Sequence, residues 1–241
     1  MEALNLRRQP IGPNYANPKF DAGWNLSFKG EAKRTPAETG RVTAFGPRAS
    51  ILEEGDLTSA VHEIIEGSVL LFKLLPDGRR QIIEVLGAGD VFGLSPSGVA
   101  DVGAEALTKA RIAIHDKRRF DSDPELRTRV FERLRRQLCM LHDHALLLGR
   151  KSAQERVATF IMRLVPDRGG RSCHGPSDVS DSAKVDLPMT RQEIADYLGL
   201  TIETVSRSFS ALKRGGVVAY ERQDSVTIPQ VCRLCRMTGS H

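Results

Sequence analysis

Residues 201–216 read TIETVSRSFSALKRGG, and the two faces of the helix they predict differ in kind. Ile202, Val205, Phe209 and Leu212 recur at steps of 3, 4 and 3, the period of an amphipathic helix with one apolar stripe. The opposite face carries Glu203, Ser206, Arg207, Ser210, Lys213 and Arg214. Glu203 and Arg207 lie four residues apart and are neighbours on that face. Alone, such a pair is an ordinary surface ion pair worth about 0.3–0.5 kcal/mol. The flanking sequence gives it another use.

Immediately upstream, Thr190-Arg191-Gln192-Glu193 is a capping box that opens a helix with Ile194, Ala195 and Leu198 as its stripe. Gly199 supplies a sharp turn before the quoted stretch, so the two helices form a helix-turn-helix. Downstream, Gly215-Gly216 ends the second helix, and VVAYERQDSVTI (residues 217–228) reads as two strands around a polar turn, a wing. In this plan the second helix enters the major groove of DNA with its N-terminal residues against base edges. Arg207 can give two donors to guanine N7 and O6, Glu203 can accept from the amine of cytosine or adenine, and Ser206 is small enough to allow close approach. Arg191, Gln192, Thr201, Thr204 and Lys213 are expected at the phosphates.

Further upstream, Gly149 interrupts and Ser152-Ala153-Gln154-Glu155 is a second capping box, starting a helix that should run to Pro166. A domain boundary is placed here, with residues 150–241 as the DNA-binding domain. The segment PDRGGRSCHGPSDVSDSAKVDL (residues 166–187) is too rich in Gly, Ser and Asp for a helix and reads as a loop. Residues 124–149 form a long helix in which Phe131, Leu134, Leu138, Leu141, Ala145 and Leu148 make an a/d seam. The seam suits a second copy of the chain; packing within one domain is the alternative. Residues 46–123 hold short apolar runs broken by Glu66-Gly67, Asp77-Gly78 and Gly87-Ala88-Gly89-Asp90. That is the pattern of a jelly-roll β-sandwich, with a two-residue hairpin turn expected at Asp77-Gly78. Residues 1–45, Trp24 apart, read as an extended, partly disordered arm. The fold class is α+β: sandwich, long helix, winged helix-turn-helix.

At 241 residues, 40% hydrophobic and 27% charged, the chain has the composition of a soluble globular protein. No apolar run approaches the roughly 20 residues of a membrane span, and the N-terminus lacks the apolar core of a secretory signal, so a cytoplasmic location is expected. Residues 149–241 carry 14 basic against 10 acidic side chains and residues 46–148 carry 14 against 16, the imbalance of a nucleic-acid module joined to something else. The six histidines (62, 115, 142, 144, 174 and 241) form no hydrolytic motif, and no enzymatic activity is expected. Cys139, Cys173, Cys232 and Cys235 are expected to be reduced. Cys232-x-x-Cys235 is a candidate redox pair; zinc would need two further ligands from Cys139, Cys173, His174 or His241, and no metal is expected.

The stretch RQEIADYLGLTIETVSRSFSALKRGG (residues 191–216) resembles the winged helix-turn-helix of the cyclic-AMP receptor protein/FNR superfamily, and the order sandwich, long helix, helix-turn-helix matches it over residues 46–230. Glu203-x-x-Ser206-Arg207 is similar to the recognition residues of the FNR and FixK branches; the cyclic-AMP branch has Arg where Ile202 stands and Gly where Ser206 stands. The resemblance implies a homodimer that binds a palindrome close to TTGAT-N4-ATCAA, works with RNA polymerase, mainly activates, and serves low-oxygen or nitrogen-fixation genes.

It also bears on the effector. Relatives that bind cyclic nucleotides hold ribose and phosphate with a Gly-Glu after the Phe and an Arg soon after. Here Phe92-Gly93 is followed by Leu94, and no Arg occurs between Gly93 and Lys109, so the phosphate lacks its guanidinium. The iron–sulfur cluster of FNR takes four thiolates, and this chain has no Cys before Cys139. Haem is left with only His62 and His115, more in keeping with structural roles. The expectation is a FixK-like relay without cofactor; a regulator with a small effector in the sandwich is the alternative.

Overall fold

The computed structural model describes residues 41–166, 168, 181–222 and 224–239. Eight strands come first: β1 (Arg41–Phe45), β2 (Ser50–Leu52), β3 (Ala60–Glu66), β4 (Val69–Leu74), β5 (Arg80–Leu86), β6 (Val91–Phe92), β7 (Gly103–Ala106) and β8 (Ala110–Asp116). They make two antiparallel sheets, ordered β1-β8-β3-β6 and β2-β7-β4-β5. Ile64, Val69, Leu71, Leu86, Phe92 and Ile112 are buried together in the sandwich. Along β4 the residues alternate between this core, which takes Val69 and Leu71, and a second one on the other face, which takes Leu70.

Two sequence expectations about the sandwich need correction. The segment expected to belong to the arm ends in a strand, because Arg41–Phe45 pairs along β8 and Phe45 packs on the core; its five residues are too few to show a period. Residues 1–40, Trp24 included, lie outside the described residues. The β4–β5 hairpin is where Asp77-Gly78 marks it, but its register (Leu74 opposite Arg80) leaves five residues between the strands. Only Gly78 there has positive φ, 83°. The Leu75 N–H donates to the Arg79 carbonyl at 2.8 Å, and Pro76 restrains the first half of the loop.

A short helix α1 (Lys117–Ser122) leads into α2 (Pro124–Arg150), 27 residues and so about 40 Å long. Asp123 caps α2 by accepting from the Leu126 N–H, with Pro124 in the first turn. The face against the sandwich buries Leu126, Val130, Gln137, His144 and Leu147. The Gln137 amide accepts from the Val91 N–H at 3.3 Å and donates to the Val91 carbonyl at 3.0 Å, satisfying main-chain groups that β6 presents to it.

The C-terminal part holds α3 (Ala153–Arg163), β9 (Ala183–Asp186), α4 (Arg191–Leu198), α5 (Ile202–Arg214), β10 (Ala219–Arg222), β11 (Ser225–Ile228) and α6 (Val231–Arg236). Both expected capping boxes form, Ser152 with Glu155 and Thr190 with Glu193. The wing has three strands, ordered β10-β11-β9. The third comes from the end of the segment expected to be loop: Val185 buries itself opposite Val226 while Lys184 and Asp186 stay exposed, an alternation of one apolar residue that composition hides. α3 ends at Arg163, not at Pro166. One core runs from Leu70, Ile82 and Val85 of the sandwich, past Leu147, to Phe160, Ile194, Leu198, Val205 and Phe209. No helix among the described residues is long and apolar enough to cross a membrane.

Candidate DNA-binding face

The turn between α4 and α5 is made by Gly199, at φ 60° in the left-handed region. Thr201 then caps α5, its hydroxyl accepting from the Thr204 N–H at 3.3 Å. The inward face of α5 buries Val205, Ser208, Phe209 and Leu212. Ile202, expected in that stripe, is 38% exposed in the first turn, and the small Ser208 occupies the buried surface instead. Glu203, Ser206, Arg207, Ser210, Lys213 and Arg214 all face outward and are exposed. The core therefore fixes the axial rotation of the helix and presents one polar strip.

Within the strip the contacts differ from a simple i,i+4 ion pair. The Arg207 guanidinium donates to the Thr204 hydroxyl at 3.4 Å, and the Thr204 and Thr201 hydroxyls lie 3.1 Å apart. The Glu203 carboxyl is held below its usual range by its own N–H and the Thr201 hydroxyl, with the Arg207 charge adding less. Glu203 is thus an exposed anion, and Arg207 an exposed cation tethered at one nitrogen.

The residues expected at phosphates sit in different settings. Arg191, in the first turn of α4, has its guanidinium 3.5 Å from the centre of the Phe209 ring and 5.6 Å from that of Tyr220, a stacked setting that orients a guanidinium. Gln192 is exposed and donates to the Asp196 carboxylate at 2.7 Å. Thr201 and Thr204 are at the start of α5, and the Lys213 ammonium is 6.0 Å from the Tyr220 ring. An open groove separates the start of α3 from α5, lined by Gln154, Thr204, Ser206, Arg207 and Arg214. Helical spacing already placed Arg214 on this face; Gln154, from the capping box of α3, joins it only through the packing of α3 on α5.

The seam residues of α2 divide. Phe131, Leu134, Leu138 and Ala145 are exposed, Phe131 at 60% and Leu138 at 52%. Leu141 and Leu148 are half-buried: Leu141 borders a small cavity with Glu84, His144, Arg163 and Tyr197, and Leu148 packs on the shared core.

At that cavity the sandwich, α2 and α4 meet. His144 stacks on Tyr197 with ring centres 4.3 Å apart, and Arg163 donates to the Tyr197 hydroxyl at 2.8 Å. Burial pushes the Glu84 carboxyl up to about 7, with the Asp90 charge adding to it. Burial pulls the His144 imidazole down to about 4, helped by Arg163.

Of the residues weighed for other chemistry, His62 stacks on Phe92 and His115 bonds Glu63 at 3.2 Å. Leu94 is exposed after Gly93. Cys232 and Cys235 lie on α6, not in a free tail, because Val231 and Leu234 of that helix are buried. The Arg168 guanidinium donates to the Cys232 sulfur at 3.2 Å and to Asp181 at 2.7 Å. Cys139 is exposed on α2; Cys173, His174 and His241 lie outside the described residues. Among the described residues, no three His, Cys, Asp or Glu side chains come together as a metal site.

Comparison with known proteins agrees with this geometry. Residues 155–237 match the Crp-like helix-turn-helix domain, and residues 42–122 match the cyclic nucleotide-binding domain. The nitrogen fixation regulation protein FixK of Bradyrhizobium diazoefficiens is 40% identical over 188 residues, 75% of each chain. The chain belongs to the CRP/FNR family, in its FixK-like branch. The transcriptional activatory protein AadR of Rhodopseudomonas palustris is 38% identical over 70% of each chain. The structure of FixK2 from Bradyrhizobium japonicum superposes with a TM-score of 0.71 at 30% identity, covering 84% of this chain and 99% of that one.

This FixK-like protein is accordingly a transcription regulator with a helix-turn-helix DNA-binding domain. Regulators of the CRP/FNR family bind DNA and act as dimers. Its relatives are transcription regulators, not enzymes.

Proposed function

We propose that this FixK-like regulator binds a palindrome of the TTGAT-N4-ATCAA type as a homodimer, without cyclic nucleotide or iron–sulfur cluster, and mainly activates transcription with RNA polymerase in the cytoplasm. Its genes are those of nitrogen fixation, as the names of its FixK relatives suggest, or of low-oxygen growth. The observation that carries the reading is the outward strip of α5. Glu203, Ser206 and Arg207 are exposed in its first two turns, while Val205 and Phe209 lock the opposite face. A carboxylate and a guanidinium so placed discriminate base edges in a major groove. Arg191, Gln192, Thr201, Thr204 and Lys213 hold the flanking phosphates and set the register. Phe131, Leu134, Leu138, Leu141, Ala145 and Leu148 form the dimer seam, since four of them leave apolar surface open on α2.

The sandwich is assigned no cyclic nucleotide because Leu94 stands where an acidic side chain would meet a ribose. The test is fluorescence anisotropy of the purified chain on a TTGAT-N4-ATCAA duplex and a scrambled one, with and without millimolar cyclic AMP. Tight, sequence-dependent binding that cyclic AMP leaves unchanged is expected. Binding to the operator only after the nucleotide is added would overturn the reading.

A further inference from the structure

The sandwich touches α4 through charges that no local motif announces. Arg48, between β1 and β2, forks its guanidinium onto Glu193: Nη1 meets one carboxylate oxygen and Nη2 donates to the other at 2.9 Å. Nη2 also reaches the Pro188 carbonyl at 3.3 Å. Arg80, at the start of β5, donates from Nε to Asp196 at 3.2 Å and from Nη1 to Glu105 of β7 at 3.2 Å. Its Nη2 lies 3.9 Å from Glu193, and Arg48 lies 3.7 Å from Glu105. Two cations of the sandwich are thus threaded among three carboxylates, one from the sandwich and two from α4.

The arithmetic of this cluster decides its sign. Without the arginines, Glu105 would face Glu193 and Asp196 across the contact, and the Glu193 side chain is only 6% exposed. Like charges with so little water repel strongly. With the arginines present, every carboxylate has a cation within 4 Å. Arg48 holds φ 67° to reach its place, and is the only described non-glycine residue with positive φ. A residue outside glycine, asparagine or aspartate adopts that region at a cost, which marks a side chain whose direction the fold requires.

What the clamp grips is the part of α4 assigned to DNA. Glu193 is the capping-box acid that fixes the first turn of α4, accepting from the Thr190 N–H at 2.7 Å, and Arg191 opens that turn. Asp196 has one oxygen on Arg80 and the other on the Gln192 amide. Arg80 is therefore one carboxylate away from Gln192, a residue assigned to phosphate, and Arg48 is one carboxylate away from Thr190, the cap of the turn that Arg191 opens. The outward strip of α5 remains exposed while the clamp is closed.

We propose that Arg48 and Arg80 are positioning residues for DNA binding. They convert a repulsive contact into a clamp that holds the helix-turn-helix against the sandwich in a DNA-ready setting, with no effector needed to place it. The inference rests on the effector-free function proposed above.

The test is operator anisotropy of the full chain, without added ligand, for wild type, Arg80→Gln, Glu105→Gln and the double variant, with thermal melts of each. Arg80→Gln is expected to weaken operator binding about tenfold, within the usual range of coupling between sites. Glu105→Gln alone should change it less than about twofold, because Arg48 and Arg80 each keep a carboxylate of α4. The double variant should recover to within about threefold of wild type, because the uncompensated repulsion is gone. A contact that mattered only structurally would lose further when a second polar partner is removed. Arg48→Gln, alone and with Glu105→Gln, repeats the comparison at the second cation should Arg80→Gln fold poorly, with the same loss and rescue expected. Wild-type affinity in Arg80→Gln, or a double variant as weak as the single, would overturn the proposal. A wild-type chain that ignores the operator would instead overturn the function it rests on, and the clamp's role with it.

Discussion

Arg207 and Arg191 carry the same guanidinium in different settings, and the difference predicts different losses. Arg207 projects from the exposed strip with one tether, at Thr204; Arg191 lies half-buried, stacked on Phe209. If Arg207 reads guanine, Arg207→Ala should cost roughly 1–3 kcal/mol per half-site on the operator and much less on scrambled DNA. Arg191→Ala should weaken both duplexes alike and reduce the salt slope by about one unit per contact. Equal losses on both duplexes for Arg207→Ala would make α5 a phosphate clamp. The outward placement of Glu203 and Arg207 was legible in the sequence because helical spacing and a nearby capping box sufficed to place them. Arg48 and Arg80 were not, because their partners lie 145 and 116 residues away and share no period with them.

Glu84 makes a second residue-scale prediction. Its carboxyl is raised to about 7 in the folded chain, from 4.5 when exposed. The folded state therefore disfavours the charged form, so Glu84 weakens stability progressively as pH rises from about 4.5 through 7. His144 works in the opposite sense: lowered to about 4 from 6.5, it weakens stability as pH falls across that window. Glu84→Gln should thus be more stable than wild type by about 2 kcal/mol at pH 8, with the gain vanishing near pH 4.5. Urea melts of the two proteins between pH 4.5 and 8 isolate the Glu84 contribution, since His144 is common to both. Parallel curves would show that the carboxyl is solvated.

At the scale of elements, α2 carries two apolar stripes, and the sequence shows why only one stood out. The seam from Phe131 to Leu148 is an unbroken series of apolar residues. The stripe that faces the sandwich includes Gln137 and His144, polar side chains that interrupt any hydrophobic period. Leu138→Asp on the open stripe would bury a charge between two copies of α2 and cost several kcal/mol of association. Sedimentation should show monomers, and operator binding should collapse. A variant that remains dimeric would remove α2 from the interface.

The short strands were the least legible elements. β1 and β9 offer too few alternating residues for a period, and both form because a partner strand completes them. The Cys232–Cys235 helix gives a further prediction. Val231 and Leu234, not the thiols, anchor α6, so replacing both Cys with Ser should leave operator affinity in reducing buffer within about 1 kcal/mol. A larger loss, or zinc at one equivalent by atomic absorption, would give the pair a role in the reduced protein.

At the scale of the whole molecule, sandwich, long helix and helix-turn-helix were legible in order because each has its own period. Their mutual seating was not, since it depends on one core running through all three and on the charges between β5 and α4. Under the proposed function, that seating presents α5 to DNA without an effector. The central claim is that an effector-free dimer reads a palindrome, one α5 per half-site. Sedimentation velocity of the ligand-free chain with labelled duplexes tests it most directly, comparing the full TTGAT-N4-ATCAA site with one whose second half-site is scrambled. Two chains per intact duplex are expected, with an affinity at least about tenfold lower when one half-site is lost, the cost of several mismatched base pairs at roughly 1–3 kcal/mol each being an upper guide. A single chain bound to the intact site, or equal affinity for both duplexes, would contradict it.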